Sequence, residues 1–182
     1  MNNLISFIKD IEKMKEQTRT AWTSSGTQET VAEHSWRLAM FLLALEEDIA
    51  DFDMNKTIKM ALVHDLGEVY EGDTSAKFEI DHEDKFAREE KAMLHLTEQL
   101  PKETKQRFLS LWYEYQEGET NEAKLVKALD KIETIIQHNQ GALPKNFDYH
   151  FNLEYGKKHA DIAPIVKRIR EHVDCETRQQ LK

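Results

Sequence analysis

Two histidines and two aspartates in this chain have the types to hold a metal ion: His34, the adjacent pair His64 and Asp65, and Asp130. Imidazole nitrogens mixed with carboxylate oxygens suit one divalent transition metal ion per chain, Mn, Fe, Co, Ni or Zn, better than Mg or Ca. With coordination positions left for water and substrate, such an ion suits hydrolysis of a phosphate ester. Glu68, three residues beyond the pair, and Arg19, ahead of the first histidine, sharpen that reading. On a continuous helix, with His64 at the origin, Asp65 falls at about 100° and Glu68 at about 40°, some 6 Å further along the axis. Glu68 would then stand beside the metal rather than on it, where a general acid or base belongs. Taken singly, each residue has a blander reading: a histidine–aspartate pair on a helix is usually no ligand set, and Glu68 and Asp130 are ordinary surface carboxylates. Yet His34 and Asp130 lie among leucines and isoleucines, and burying an ionisable group costs several kcal/mol (roughly) unless it is paired or ligated. Helical periodicity puts Asp130 at the margin of its apolar stripe.

The elements that must position these residues read as helices almost throughout. Leu4, Ile5, Ile8, Ile11 and Met14 recur at helical spacing, and Thr23-Ser24-Ser25-Gly26-Thr27 breaks the pattern. Thr30 with Glu33 three residues on predicts a capping box, opening a helix through His34, Leu38, Phe41, Leu42 and Leu45. A third helix is expected from Asn55 to about Tyr70, with Gly72 as its exit, followed by the loop Asp73-Thr74-Ser75-Ala76. Further helices are expected over Asp84–Gln99, Glu103–Gln116, Glu122–Asn139 and Ile162–Val173, with a loop over Gly141–Asp148. No segment alternates convincingly enough to predict a strand. The expected fold is therefore all-α, one domain over residues 1–182.

Four in ten of the 182 residues are apolar and 32% are charged, ordinary for a water-facing globular domain. The longest apolar run, Leu38 to Leu45, is eight residues and predicts a buried helix segment, far short of the roughly 18–20 needed to span a bilayer. No basic-then-apolar leader is visible at Met1-Asn2-Asn3, and the single cysteine, Cys175, fits a reducing cytoplasm. A formal charge of −9 argues against a nucleic-acid polymer as partner. It does not exclude an anionic small molecule, because a metal ion and an arginine reverse the local field.

The order of these motifs carries a resemblance. Arg19-Thr20-Ala21-Trp22, Val31-Ala32-Glu33-His34-Ser35, Leu62-Val63-His64-Asp65-Leu66-Gly67-Glu68, Gly72-Asp73 and Leu125-Val126-Lys127-Ala128-Leu129-Asp130 resemble the 5′-deoxynucleotidase branch of the HD-domain phosphohydrolase superfamily. The similarity covers about residues 1 to 140, leaving the helices of 141–182 outside it. It implies a helical HD-domain bundle, often dimeric, with His34, His64, Asp65 and Asp130 at one metal. It further implies Glu68 as the acid–base group, Arg19 orienting the phosphate, and the loop Asp73, Thr74, Ser75 and Ala76 touching sugar and base. One departure concerns the sugar. Bacterial members place a tryptophan directly after the arginine, whereas Thr20 stands there and the tryptophan comes at Trp22, the eukaryotic-type position. Trp22 is thus either a deoxyribose contact or a core residue. Di-metal members add histidines after the pair; His82 and His95 read as solvated or core-edge side chains. The expected substrate is a deoxynucleoside 5′-monophosphate. A triphosphate or cyclic nucleotide, a non-catalytic nucleotide sensor and a purely helical interaction protein are the alternatives. The cluster Trp112, Tyr113 and Tyr115 either forms a dimer surface or packs inside its own helix layer.

Overall fold

A capping box opens the helix that carries His34. Thr30 Oγ1 accepts from the Glu33 backbone N–H at 3.2 Å, and Glu33 Oε2 accepts from the Thr30 N–H at 2.7 Å. Two donors that no helical turn can reach are thereby satisfied. In this computed structural model, which describes residues 2–70, 72 and 82–182, that helix spans Val31–Ala44 (α2). Before it come α1 (Asn2–Asp10), a 3₁₀ turn (Ile11–Lys15), and strands β1 (Thr18–Trp22) and β2 (Gln28–Thr30). After it come α3 (Met54–Val63), a 3₁₀ turn (Leu66–Glu68), α4 (His82–Leu96), α5 (Lys102–Glu117) and α6 (Asn121–Gln140). The chain closes with α7 (His150–Glu154), a 3₁₀ turn (Lys157–Ile162) and α8 (Pro164–Gln180). The architecture is all-α, with one small antiparallel hairpin among the described residues, and no described helix is long and apolar enough to cross a membrane.

Three expectations need correction. The hairpin is new: Thr18 pairs with Thr30 and Trp22 with Gln28 around an irregular register. Five and three residues are too few to show a period in the sequence, and a two-stranded ribbon persists only when packed on something. Here the support is the end of α6, where Gln137 Nε2 donates to the Trp22 carbonyl at 2.5 Å and the Ala142 N–H to the Thr23 carbonyl at 3.0 Å. The expected helix Asn55–Tyr70 is also interrupted. Its α-helical part stops at Val63, and Asp65 takes φ −101°, ψ 8°, so the chain re-enters as a 3₁₀ turn. The helical-wheel placement of Glu68 therefore does not apply. Finally, the apolar run Leu38–Leu45 is buried on one face only: Leu38 and Leu42 are fully buried, while Met40 and Leu43 are 46% and 44% exposed.

Helix α6 is the axle. It buries residues around most of its circumference and packs on α2, α3, α5 and α8. Two apolar clusters form around it. One is built on Leu38, Leu42, Met60, Leu129 and Ile132; the other on Val31, Val63, Met93, Leu96 and Trp112. His34 lies between Val31 of the second cluster and Leu38 of the first, and His64 follows Val63, so both imidazoles sit on the seam between the clusters. Trp112 and Tyr115 are buried inside the chain, and Tyr113 is half-buried with its hydroxyl on Glu90, so the trio packs inside rather than forming a dimer surface.

Gly141, at the end of α6, admits no side chain. A Cβ there would overlap the Trp22 carbonyl oxygen and lie 2.8 Å from that of Gln137. Gly141→Ala is expected to destabilise by about 1–3 kcal/mol, the range for forced overpacking. Chemical denaturation would read this as a lowered midpoint at unchanged slope; an unchanged midpoint would show that the hairpin is not strapped tightly to α6.

Candidate active site and metal centre

Along α6, Asp130, Glu133, Thr134 and Gln137 follow one another at i, i+3, i+4 and i+7, and all four are buried. This polar stripe inside an apolar helix organises the site. Glu133 Oε2 lies 2.5 Å from His34 Nδ1, which places the ring proton on Nδ1 and directs the Nε2 lone pair inward. His64 is set the same way, with Nδ1 donating to the Ala61 carbonyl at 2.8 Å. Asp130 Oδ2 accepts from the Tyr115 hydroxyl at 2.7 Å and from Lys131 Nζ at 3.0 Å. Its other oxygen, Oδ1, is left facing His34 Nε2 at 3.2 Å. Asp65 Oδ2 lies 3.0 Å from His64 Nε2 and 3.8 Å from His34 Nε2.

Three of these side chains, with Asp65 beside both imidazoles, form a candidate cation site. Both Nε2 atoms are buried and have no hydrogen-bond partner in suitable alignment among the described residues. At His64, whose proton is on Nδ1, an orphaned buried acceptor costs about 1–3 kcal/mol, which a bound cation would offset. The donor atoms of His34, His64 and Asp130 all lie within 4.8 Å of one another. Ligand bonds of roughly 2.0–2.2 Å at tetrahedral or right angles put donors about 2.8–3.6 Å apart, which the 3.2 Å between His34 and Asp130 and the 3.0 Å between His64 and Asp65 match.

The charges are balanced around this point. Burial pushes the His34 imidazolium down and Arg19 adds to that, but Glu133 and Asp130 outweigh both and hold its pKa up to about 10. Burial would raise Asp65 and Asp130. The imidazoles beside Asp65, and Lys131 with the imidazoles beside Asp130, instead hold both carboxyls below their ordinary range. Tyr115, buried and beside Asp130, is pushed well up and stays a donor. In the ion's absence His34 therefore carries a second proton, which a metal must displace. Since only the neutral ring can ligate, apparent metal affinity should rise with pH, up to tenfold per unit below about 10. Calorimetry at pH 7 in buffers of differing ionisation enthalpy is expected to show proton release on metal uptake. A heat independent of buffer would contradict it.

Arg19 stands at the edge of this cluster. Its guanidinium donates to Thr134 Oγ1 at 2.9 Å, approaches Glu29 at 3.5 Å and reaches within 4.0 Å of Asp65 Oδ2. Glu29 is pushed up to about 6 by burial and by Glu133, against the pull of Arg19. Glu133 Oε1 takes Arg37 Nε at 3.3 Å, and Arg37 also bonds Gln137. Glu68 is buried on the 3₁₀ turn, its backbone N–H on the Asp65 carbonyl at 2.9 Å and its Oε1 3.3 Å from Lys85 Nζ. The turn fits against α4 because Gly67 lacks a side chain: a Cβ there would lie 2.7 Å from Glu89 Cβ and 3.1 Å from its carbonyl oxygen.

The structure thus brings together His34, His64, Asp65, Asp130 and Arg19, and sets Glu68 on the turn that follows Asp65. Trp22 is half-buried, neither core nor free surface. Asp73, Thr74, Ser75 and Ala76 lie outside the described residues, as does the side chain of His82. Sequence reasoning missed Glu133, Thr134, Glu29, Tyr115, Lys131 and Lys85. The stripe from Asp130 to Gln137 was the available signal, since four polar residues at helical spacing amid Leu129, Ile132, Ile135 and Ile136 are costly unless they pair. Lys131 stands next to Asp130 on α6, while Glu29, Tyr115 and Lys85 carry no local mark and are brought in from separate elements.

Comparison with known proteins places the chain in a family. The chain is 40% identical over 145 residues to the 5′-deoxynucleotidase HDDC2 of Dictyostelium discoideum, covering 75% of this chain and 76% of the relative. It is 34% identical over 177 residues to the 5′-deoxynucleotidase HDDC2 of Homo sapiens, covering 92% and 84%. Among solved structures, a predicted metal-dependent phosphohydrolase from Magnetospirillum magnetotacticum superposes with a TM-score of 0.76 at 27% identity, over 99% of this chain and 92% of the other. The HD domain profile matches residues 11–170, and with these relatives it shows that the chain belongs to the HD domain family.

Proposed function

We propose that this chain is a metal-dependent 5′-deoxynucleotidase, hydrolysing deoxynucleoside 5′-monophosphates to deoxynucleoside and phosphate. The observation that carries the reading is the pair of buried imidazole Nε2 atoms, with no well-aligned hydrogen-bond partner among the described residues, turned toward two carboxylates with a guanidinium alongside. The relatives named as 5′-deoxynucleotidases supply the substrate class. His34, His64, Asp65 and Asp130 would hold one divalent transition metal ion, with Mn, Fe, Co, Ni and Zn all suited to nitrogen and oxygen donors. When bound, such an ion draws electron density from phosphorus and makes water a stronger nucleophile at neutral pH.

The chain's own groups do the rest. Arg19, fixed by Thr134 and Glu29, takes a phosphate oxygen and neutralises charge where phosphoryl transfer needs it. Hydrolysis forms a P–O bond to water and breaks the bond to the 5′-oxygen, which must gain a proton; Glu68 is the group that holds or delivers it. Trp22 and residues 73–76 contact the sugar and base, with Asp73 accepting from the 3′-hydroxyl. The protein acts as one HD domain, in the cytoplasm, as a homodimer. The apolar side chains left outward on α1 (Leu4, Ile5, Ile8) and on α3 (Leu62) supply a face for pairing.

Phosphate release from each deoxynucleoside 5′-monophosphate and its ribose counterpart, with Mn, Co or Zn restored after chelation, tests the reading. Release from the deoxy set well above the ribo set is expected. Equal release would keep a phosphatase without sugar selectivity. Release only from triphosphates or cyclic nucleotides would overturn the substrate.

A further inference from the structure

Glu68 is anchored by a chain of side chains that starts two helices away. Gln116 on α5 donates to Glu89 Oε2 at 3.2 Å, and Glu89 Oε1 holds Lys85 Nζ at 3.2 Å, one turn earlier on α4. Lys85 Nζ in turn reaches Glu68 Oε1 at 3.3 Å. Lys85 is 30% exposed, whereas Glu68 and Glu89 are 6% and 12% exposed as side chains, so the ammonium bridges two largely buried carboxylates. The backbone is shaped for this contact, because the missing side chain at Gly67 is what lets the turn bearing Glu68 lie on Glu89.

We infer that Lys85 is a positioning residue for the proposed hydrolysis, holding the Glu68 carboxylate in place for proton transfer, with Glu89 and Gln116 holding Lys85. The inference rests on the reading of Glu68 as the acid–base group. The physical need is plain. Glu68 sits on a three-residue turn, its side chain has three torsions, and misplacing a reacting group by an ångström costs about a hundredfold in rate. An ion pair spanning two elements removes that freedom, while a surface pair would do little. Burial alone would push the Lys85 ammonium down, but Glu68, Glu89 and Asp65 outweigh it, so the cation persists at all ordinary pH.

Steady-state kinetics on a deoxynucleoside monophosphate test this with Lys85→Met, Lys85→Arg and Glu89→Gln. Lys85→Met is expected to lower kcat about 10- to 100-fold with KM and metal content unchanged. Lys85→Arg should recover most of the loss, and Glu89→Gln should fall between. A raised KM at unchanged kcat would make Lys85 a substrate ligand, and wild-type kcat in Lys85→Met would remove it from the reaction; either result overturns the proposal. A second arm needs no turnover. In protein labelled with ¹⁵N-lysine, the ammonium signal absent from Lys85→Arg is expected to shift when Glu68→Gln is introduced, and an unmoved signal overturns the pairing. If the wild type releases phosphate from no monophosphate, the functional reading fails on its own, and the labelled-lysine spectra still decide the Lys85–Glu68 contact.

Discussion

Glu68→Gln is expected to lower kcat by about 10²- to 10⁴-fold, the usual contribution of a positioned acid or base, while metal content and nucleotide affinity stay near wild type. The substitution keeps the volume and the hydrogen-bonding length of the side chain but removes the proton-transfer function. The hydrogen bond that joins Glu68 to Asp65 runs through the backbone, which the substitution leaves in place. Loss of the anion leaves Lys85 with Glu89, so the fold should survive. Metal analysis and equilibrium nucleotide binding on the same preparation separate a chemical loss from an empty or collapsed site. Near-wild-type turnover would take Glu68 out of the mechanism, and lost metal would make it a ligand or a structural support.

Asp130→Asn has the other large effect. Asp130 turns Oδ1 toward His34 Nε2, where it would ligate a metal, and uses Oδ2 to hold Tyr115 and Lys131. The amide is a poor ligand and carries no charge, so the variant is expected to purify without metal. Loss of a Lewis acid is worth several kcal/mol, roughly a thousandfold or more in kcat/KM at ~1.36 kcal/mol per tenfold. It also leaves the Lys131 ammonium beside no carboxylate at that point, and breaking a buried pair costs about 3–5 kcal/mol. Part of that loss is relieved by the 28% exposure of Lys131. Thermal melting of the apo proteins should therefore place Asp130→Asn below wild type. Elemental analysis is the deciding measurement, with the exposed His95→Ala as the control that retains metal. A full complement of metal in Asp130→Asn would remove Asp130 from the ligand set.

Much of the candidate site is legible along the chain because its candidate ligands are chemically unusual where they stand. A histidine beside Leu38 and an aspartate between Leu129 and Lys131 in an apolar helix need a compensating partner, and residue types alone say so. The capping box at Thr30 and Glu33 is equally local and forms as expected. Legibility ends where distant segments meet. Glu133 is half visible, through its place three residues after Asp130. Glu29, Lys85 and Tyr115 carry no local mark, because their role comes from folding a hairpin, α4 and α5 onto the same point.

Periodicity by itself determined the helical fold class, and composition the charge that a ligand must tolerate, while side-chain type and the resemblance to the HD-domain family nominated His34, His64, Asp65 and Asp130 as candidate ligands. Only the tertiary structure decided three things. It broke the helix after Val63, which moved Glu68 off the wheel and onto a 3₁₀ turn. It paired Thr18–Trp22 with Gln28–Thr30 against α6, which delivers Arg19 to Asp65. It brought Lys85 to Glu68 across α4. The hairpin and the Lys85 contact join residues far apart in the chain or too few to carry a period, and the turn after the helix break packs on Glu89 of α4; burial and pairing of this kind exist only once the layers have met.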